Sequence, residues 1–314
     1  MESINRMAVE LVDEALDFAD ELGVTPYELD SGATVLDFGV DARGGLEAGL
    51  LLSEIQTAGL ATLQTRTGNV AGGTRPYVEL TTDHPSVALL CSQKAGWELG
   101  VDGFEGLGSG PARALVGEEA AFAAAGYYDE FDLTVLSVES ESLPGDAVAE
   151  HVADRAGVAE SAVFLPTCAT GSVAGSATTA ARAAELAVFR LFELGYDPTA
   201  IRTATGSAPV APVTYDETAA MGRTNDALAY GGEVYLLVDD DDPTAFENVP
   251  STAAAEYGTP FAEIFADAEY DFYDIDESVF APAQVTIDVV DGPTYVHGET
   301  HEELLAESFG LPEV

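Results

Sequence analysis

The chain has 314 residues, with 56 Asp and Glu against 11 Lys and Arg, and its formal net charge is -45. Such an acidic surface repels the phosphate backbone of nucleic acids and anionic lipid, which excludes both as expected partners, and it is tolerated where salt screens it, which predicts a salt-rich cytoplasm. Hydrophobic residues make up 47% and aromatic residues 9% of the chain, so a disordered acidic chain is excluded and a folded protein is predicted.

Helical and β-rich patterns alternate along the chain. The first segment, residues 3–22, has apolar residues at helical spacing with acids between them, which predicts an amphipathic helix and not a signal peptide. Further helical patterns lie at residues 45–61, 84–95, 145–156, 173–194, 217–229 and 300–309. Runs rich in β-formers lie at residues 33–40, 76–82, 131–139, 161–166, 233–239 and 284–290. The alternation predicts an α/β protein, and no apolar run reaches the roughly 18 residues of a membrane span.

The two cysteines and the segment 267–282 are not predicted to form a functional site. Cys91 and Cys168 form no CxxC pair, so neither a disulfide framework nor a thiolate zinc site is expected. The segment 267–282 mixes acids with aromatic residues and ends in a proline turn, a pattern typical of a loop that wraps the surface.

The densest glycine cluster is GFEGLGSGPARAL, residues 103–115. Its glycines allow backbone N–H groups to converge, and Pro111 suits the first turn of a following helix, whose N-terminus favours anions. Arg113 would add a fixed positive charge. Because the segment contains neither a Walker loop nor the GxGxxG pattern, it is interpreted either as a ligand-binding loop or as a tight structural turn.

A second polar cluster lies in GRTNDALAYGG, residues 222–232. Arg223, Asn225 and Asp226 are interpreted as lying at a helix entry between Thr224 and Asp226, with a glycine C-cap at its end. Capping accounts for one of these polar side chains and leaves the arginine unexplained.

A metal site is not predicted at the two histidines near the C-terminus. His297 and His301 are four residues apart, but Gly298 interrupts any helix there. Thr300 and Glu303 instead fit a capping box for the last helix.

Two Arg-x-x-Glu pairs lie in TTAARAAELAVFRLFELG, residues 178–195, although the chain has only 11 cationic residues. An exposed pair of this spacing contributes about 0.2–0.5 kcal/mol, and less in molar salt, where the Debye length is only about 3 Å. Arg190 lies between Phe189 and Leu191, as expected for a long side chain at the edge of the core. Arg182 is flanked by alanines, which we expect to leave open space for a flat ligand.

Several stretches together resemble the methenyltetrahydromethanopterin cyclohydrolases, archaeal enzymes of one-carbon metabolism. The resemblance covers nearly the whole chain, and the combination of SQKAGW, GSGPARAL and TNDALAYGG is highly specific. The stretches are NRMAVELVDEALDFADELGV, SGATVLDFGVDARGGLEAG, PYVELTTDHPSVALLCSQKAGW, GLGSGPARAL, AEHVA, GSAPVAPV, MGRTNDALAYGG, YGTPFAEIF and YDFYDIDESVFAPA.

The resemblance implies an enzyme that reversibly hydrolyses the methenyl cation bridging N5 and N10 of a reduced pterin to the N5-formyl derivative. It implies no metal and no redox cofactor, because the pterin is itself the substrate. It also implies a single two-lobed, mixed α/β subunit with a ligand cleft between discontinuous lobes, commonly in a homotrimer.

The resemblance further assigns site residues. The family's catalytic arginine and glutamate match Arg182 and Glu185, whereas Arg190 and Glu193 do not match. Glu185 would act as a general base on water, and Arg182 would keep its carboxylate ionised or stabilise the oxygen charge of the adduct. The implied substrate-binding residues are Lys94, Ser109, Gly110, Arg113, Glu139, Arg223, Asn225 and Asp226.

Two alternatives stay open at this point. Ala180 and Ala181 stand where relatives carry Ser-Gly, so the local backbone contacts are expected to differ. The extreme acidity is typical of halophiles, which generally do not make methane, and this leaves a folate-type pterin as the alternative carrier of the one-carbon unit. A pterin-binding protein without turnover is the other alternative, and the presence of both Arg182 and Glu185 argues against it.

Overall fold

The computed structural model describes residues 1–269 and 274–312. The chain divides into two compact units, each built from two separate stretches. Unit 1 comprises Met1–Thr62 and Ser86–Thr178, and unit 2 comprises Leu63–Pro85 and Thr179–Val314. Each unit is organised around its own mixed β-sheet, which confirms the predicted mixed α/β class.

Among the described residues, the sheet of unit 1 has seven strands in the order β1-β2-β9-β8-β6-β5, with β7 beside β9. Strands β2, β7 and β8 run parallel to β9, and the other pairs are antiparallel. The strands are β1 (Thr25–Glu28), β2 (Thr34–Gly39), β5 (Ala95–Val101), β6 (Phe104–Ser109), β7 (Thr134–Val135), β8 (Ser137–Glu139) and β9 (Val163–Cys168).

Helices cover both faces of this sheet. The described helices are α1 (Ile4–Asp17), α2 (Ala19–Leu22), α3 (Leu46–Gln56), a π-helix (Ser86–Gln93), α4 (Ala112–Val116), α5 (Ala120–Ala125), α6 (Asp146–Ala156) and α7 (Val173–Ala180). Successive side chains of a strand point to opposite faces. Leu36 and Phe38 of β2 therefore enter one apolar cluster, with Val12 of α1, while Val35 enters the cluster that contains Val152 of α6.

Unit 2 has a six-stranded sheet, within the described ranges, in the order β13-β12-β11-β10-β4-β3. Only β11 and β12 are parallel among the pairs described. The strands are β3 (Thr62–Val70), β4 (Gly73–Thr82), β10 (Ile201–Pro209), β11 (Glu233–Val238), β12 (Gln284–Val289) and β13 (Thr294–Gly298). The helices are α8 (Ala183–Glu193), α9 (Glu217–Gly231), α10 (Pro243–Phe246), α11 (Phe261–Asp267) and α12 (Glu302–Ser308).

Every predicted helical or β-rich segment overlaps an element of the predicted type, but six strands were missed: β1, β3, β5, β6, β10 and β13. Strands β5 and β6 form a hairpin whose turn residues, Asp102 and Gly103, both have positive φ, at 49° and 83°. Asp-Gly in a two-residue turn is a strong hairpin signal. The glycine cluster after it is therefore largely a strand.

The segment 267–282 is not simply a surface loop. Its residues 270–273 lie outside the described residues. Of the rest, Ile275 and Val279 are buried in an apolar cluster with Phe261 and Phe265. Within the described chain, no helix is both long enough and apolar enough to cross a membrane.

Candidate functional site

The predicted catalytic pair lies at a break between two helices. The sequence pattern predicted one helix over 173–194, because alanine favours helix strongly. The structure ends α7 at Ala180, and α8 begins at Ala183. Arg182 occupies the N-cap position of α8 with φ -88° and ψ -2°, and its carbonyl accepts the N–H of Leu186 at 2.9 Å. Glu185 therefore lies in the first turn of α8 rather than in the middle of a long helix.

The break coincides with close packing against strand β10. Gly206 of β10 lies so near α8 that a Cβ built on it would be 2.5 Å from the backbone nitrogen of Ala184. This approach is made possible by a glycine on the strand and an alanine on the helix, and tertiary packing of this kind overrides local helix propensity.

Arg182 and Glu185 form a buried ion pair. Arg182 Nη1 lies 3.4 Å from Glu185 Oε2, and the residues are 8% and 3% exposed. The flanking alanines are buried as well, Ala181 at 2% and Ala184 at 0%. The expectation of open space above them was wrong, because small side chains here let the backbone of a strand approach.

Glu185 lies beside two sources of positive charge. The first turn of a helix exposes unpaired N–H groups and carries the positive end of the helix dipole, and a guanidinium lies beside the carboxylate. A buried carboxylate next to a fixed positive charge can accept a proton from water.

The second Arg-x-x-Glu pair lies near the other end of α8. Arg190 is half-buried, and Glu193 is exposed, which agrees with the predicted position at the edge of the core. The two pairs therefore differ in burial although they have the same spacing.

Arg113 is fully buried in unit 1 and uses all of its donors within the protein. A guanidinium has five N–H donors. Those of Arg113 reach the carbonyls of Leu90, Ser92 and Lys94 at 2.8–3.1 Å and both carboxylate oxygens of Glu119 at 2.7 and 2.8 Å. The prediction that Arg113 offers its charge to a ligand was wrong, because no donor is left for one.

Lys94 follows the π-helix directly and belongs to the same network. Its Nζ lies 3.1 Å from Glu119 Oε2, and its side chain is 22% exposed. Burial raises the pKa of Glu119, but hydrogen bonds from Arg113 and the charges of Arg113 and Lys94 outweigh it, so the net pKa is lowered. Lys94 is thus a partly exposed cation whose backbone is held by Arg113.

The glycine cluster does not form a cradle of convergent N–H groups. Strand β6 pairs with β5 on one side and β8 on the other, so its backbone is part of the sheet. Ser109 is buried, and the Gly110 N–H donates to the carbonyl of Ser92 at 2.7 Å. Gly110 is required for its φ of 108°. Of the two interpretations of this segment, the structural one fits.

Glu139 lies at the carboxyl end of β8, between β6 and β9. Its Oε1 accepts a short hydrogen bond from the hydroxyl of Thr170, which follows β9. The side chain of Glu139 is half-buried, and Thr170 is 4% exposed.

Arg223, Asn225 and Asp226 do not lie at a helix entry. Helix α9 begins at Glu217, where Asp216 caps it by accepting the N–H of Ala219 at 3.0 Å. The three residues therefore lie in the body of the helix. The guanidinium of Arg223 donates to the carbonyl of Pro212 at 3.4 Å, and the Asn225 amide donates to that of Met221 at 2.9 Å.

Asp226 is a structural carboxylate in this arrangement. It is 1% exposed and accepts hydrogen bonds from the backbone N–H of Phe261 at 2.8 Å and the hydroxyl of Ser308 at 2.6 Å. Burial raises its pKa to about 6, although both hydrogen bonds lower it. It joins α9 to the elements around Phe261 and α12, so the prediction that it contacts substrate finds no support in its surroundings.

No cluster of three or more His, Cys, Asp or Glu side chains suited to a metal ion occurs among the described residues. His301 is itself the N-cap of α12, and its Nδ1 accepts the N–H of Leu304 at 3.3 Å. The cap is therefore His301 and not the predicted Thr300.

Comparisons with known proteins agree with the resemblance. A family model described as Cyclohydrolase (MCH) matches residues 3–309. The chain is 59% identical over 311 residues to the methenyltetrahydromethanopterin cyclohydrolase of Halobacterium salinarum, covering 99% of this chain and 100% of that one. It is 40% identical over 315 residues to the protein of that name from Methanocella arvoryzae, covering 99% of each chain. The chain belongs to this cyclohydrolase family.

A third relative in the family, the methenyltetrahydromethanopterin cyclohydrolase of Methanothermobacter marburgensis, is 39% identical over 323 residues, covering 99% of this chain and 100% of that one. The similarity to the Halobacterium salinarum protein fits the halophilic character that the acidic composition predicted.

Three residues with defined roles were missed by the sequence analysis. Glu119 neutralises Arg113, and Thr170 holds Glu139. Asp37, fully buried in β2, accepts four backbone N–H groups of residues 39–42 at 2.6–2.9 Å. Only Asp37 carried a local signal, since a carboxylate inside an apolar strand requires compensating donors.

Proposed function

We propose that this chain hydrolyses the N5,N10-methenyl cation of tetrahydromethanopterin to the N5-formyl form, reversibly, with Arg182 and Glu185 as the catalytic residues. Support comes from the full-length match to the family and from the names of the relatives. The observation that carries the catalytic part is the buried pair of Arg182 and Glu185 at the start of α8.

The proposed chemistry needs little beyond a placed and deprotonated water. The methenyl carbon lies between two nitrogens that share a positive charge, so it is already electrophilic. Water oxygen bonds to this carbon while Glu185 takes one water proton, which gives a neutral tetrahedral carbinol. The carbinol then loses its O–H proton as the C=O bond forms, the electron pair of the breaking C–N bond returns to N10, and N10 takes up a proton. One proton is released overall.

The role proposed for Arg182 is electrostatic. Its guanidinium keeps the Glu185 carboxylate available as a base, and it can stabilise negative charge that develops on the attacking oxygen. The carbon keeps its oxidation level through hydrolysis, so we propose that the reaction uses no redox cofactor. Because the methenyl carbon is already electrophilic, we propose that it uses no metal either.

Several finer points belong to the same proposal. Of the residues assigned to substrate binding, Lys94, Glu139 and Arg223 keep partly exposed charged groups and are the ones we retain. We further propose a homotrimer with a reduced pterin bound in a cleft, as the family resemblance implies. The acidic composition supports a cytoplasmic location and no nucleic acid or membrane partner.

The test offers methenyl-tetrahydromethanopterin and methenyl-tetrahydrofolate separately to the protein in concentrated KCl and follows the loss of methenyl absorbance. Turnover of the first and not the second supports the proposal. Turnover of the folate compound alone would move the carrier to a folate-type pterin, and turnover of neither would refute the enzyme.

Two matched variants on helix α8 test the catalytic pair. Glu185→Gln removes the proposed base and is expected to lower kcat about 10²–10⁴-fold. Glu193→Gln makes the same chemical change at an exposed position of the same helix and is expected to leave kcat within about twofold, since surface substitutions have small effects. Equal losses in the two variants would show that the assignment is wrong.

A further inference from the structure

The carboxylate of Glu139 is held at one oxygen. Its backbone is fixed by two neighbouring strands, since Glu139 pairs with Leu107 of β6 and with Cys168 of β9. Its Oε1 accepts a short hydrogen bond from the hydroxyl of Thr170. Thr170 is buried and lies two residues beyond the end of β9, so both the backbone and the side chain of Glu139 are fixed.

The comparison with Asp37 shows what this arrangement leaves unused. Both carboxylates belong to strands that run parallel to β9, Glu139 at the last residue of β8 and Asp37 two residues before the end of β2. Asp37 is fully buried and accepts four backbone N–H groups, as a structural carboxylate does. Glu139 is half-buried and, among the described residues, accepts only the hydrogen bond of Thr170. An ionised carboxylate offers about four lone-pair sites, so Glu139 has acceptor capacity left.

The location of Glu139 is suited to ligand binding. In open α/β sheets, ligands bind outside the carboxyl ends of the parallel strands. Strands β2, β8 and β9 all end at this edge of unit 1. No ion pair of Glu139 occurs within residues 1–269 and 274–312. A half-buried carboxylate at such an edge favours a ligand group that brings N–H donors.

We propose that Thr170 is a positioning residue, which orients Glu139 to accept the paired N–H groups of the substrate's 2-amino-4-oxo pterin ring. This inference rests on the proposed function, because it takes a reduced pterin as the substrate. The ring edge carries the N3–H and the 2-amino group side by side, and two parallel N–H donors match the two oxygens of a carboxylate. The hydroxyl of Thr170 fixes the plane of that carboxylate before the ring arrives.

A group that binds the N3–H and 2-amino edge of the ring stabilises the ground state and the transition state equally, because the reacting carbon lies at the other end of the ring system. Loss of such an interaction raises KM and leaves kcat nearly unchanged. The net free energy of a hydrogen bond to a charged group corresponds to about a tenfold change, or more, in an equilibrium constant. Thr170→Val is therefore expected to raise KM about tenfold, and Thr170→Ser, which keeps the hydroxyl, to restore most of the loss.

The matched control is Thr167→Val. Thr167 is a fully buried threonine of β9 whose hydroxyl donates to the carbonyl of Leu165 at 3.0 Å. Its loss affects stability without touching Glu139, so KM is expected to stay within about twofold. A rise in KM for Thr167→Val equal to that for Thr170→Val would show a general effect of the strand and would overturn the inference.

A double-mutant cycle with Glu139→Gln decides whether Thr170 acts through Glu139. The expected result is that Thr170→Val adds less than about a twofold change in KM when Glu139 is already Gln. An undiminished tenfold effect in that background would overturn the inference. Steady-state kinetics use methenyl-tetrahydromethanopterin, and calorimetric titration with tetrahydromethanopterin reports binding without turnover.

Analogues test the ring edge itself. Tetrahydropterin and its 2-deamino-2-oxo counterpart are compared as competitive inhibitors, and the wild-type chain is expected to prefer the 2-amino compound while Glu139→Gln loses that preference. Equal preferences in both chains would overturn the assignment of the ring edge. Failure of the proposed function is separate, because it is the absence of turnover in the wild-type chain.

Discussion

Substitution of Arg113 by Met tests the finding that this arginine is structural. Arg113 has no exposed surface, and its five donors bind three backbone carbonyls and both oxygens of Glu119. Met has similar length but no donor, so the carbonyls of Leu90, Ser92 and Lys94 and the Glu119 carboxylate lose their hydrogen bonds from Arg113, although Ser92 keeps the N–H of Gly110 and Glu119 keeps Lys94. The change therefore removes one side of a buried ion pair.

The expected loss in the free energy of unfolding depends on how well the charge of Glu119 is still neutralised after Arg113 is removed. Removal of one partner from a buried ion pair costs about 3–5 kcal/mol. Glu119 is 22% exposed and keeps Lys94 at 3.1 Å, which places the loss for Arg113→Met near the lower end, at about 3 kcal/mol. For a folding unit of roughly 150–250 residues this corresponds to a fall in Tm of about 6–12 °C.

Urea titration at constant KCl measures the free energy of unfolding. The control is Arg6→Met, because Arg6 is 55% exposed and contacts only Glu2 and Glu10 as ion pairs among the described residues, and its loss is expected to cost less than about 1 kcal/mol. A loss below about 1 kcal/mol for Arg113→Met, equal to that of the control, would refute the reasoning.

The same network predicts a dependence on acid. The folded-state pKa of Glu119 is lowered by Arg113 and Lys94 despite burial. Its contribution is therefore fully present above the unfolded-state pKa of about 4.5 and is lost as the pH falls through the lower folded-state value. In Arg113→Met this loss of stability below about pH 4.5 is expected to be smaller.

Two further predictions concern a close contact and a buried acid. Gly206→Ala places a methyl group against the Ala184 nitrogen and is expected to lower the free energy of unfolding by at least about 2 kcal/mol and to lower kcat. Gly100→Ala is the matched strand control, because nothing lies within 4 Å of a Cβ built there. Equal free energies of unfolding in the two variants would contradict the packing argument. Asp226→Asn removes a carboxyl whose pKa burial raises to about 6 despite its bond to Ser308, so folded protein binds the proton more tightly and stability falls as the pH rises from about 4 to about 6. That fall is expected to flatten in Asp226→Asn when Tm is followed over this range, and an unchanged slope would refute it.

The sequence located most elements because they follow from hydrophobic periodicity. Residues 217–229 were predicted as a helix and lie within α9, and 284–290 were predicted as a strand and contain β12. Strands β3 and β10 were missed because their sequences, TLQTRTGNV and IRTATGSAP, contain polar residues and glycine. They form strands through pairing with β4. For β10 that partner is distant in sequence and leaves no local signal, whereas β3 is joined to β4 by the two residues Ala71 and Gly72, both with positive φ.

In the candidate site, too, local sequence patterns predicted some features and tertiary contacts decided the others. Spacing identified two Arg-x-x-Glu pairs, and resemblance to the family selected Arg182 and Glu185. The sequence could not show that these residues lie at a helix break, because a run of alanines predicts a continuous helix. The sequence also could not show that all N–H donors of Arg113 are used within the protein. The carbonyls of Leu90, Ser92 and Lys94 accept them only at the end of the π-helix.

By itself, the sequence determined the acidic character, the mixed α/β class, the family and the catalytic candidates, because composition, periodicity and motif content are local properties of the chain. Tertiary structure alone decided which polar groups are satisfied within the protein and which keep capacity for a ligand. Arg113 and Asp226 belong to the first group and Glu139 to the second. The physical reason is that a buried polar group must find partners, and for these residues the partners come from other segments that only the fold brings near.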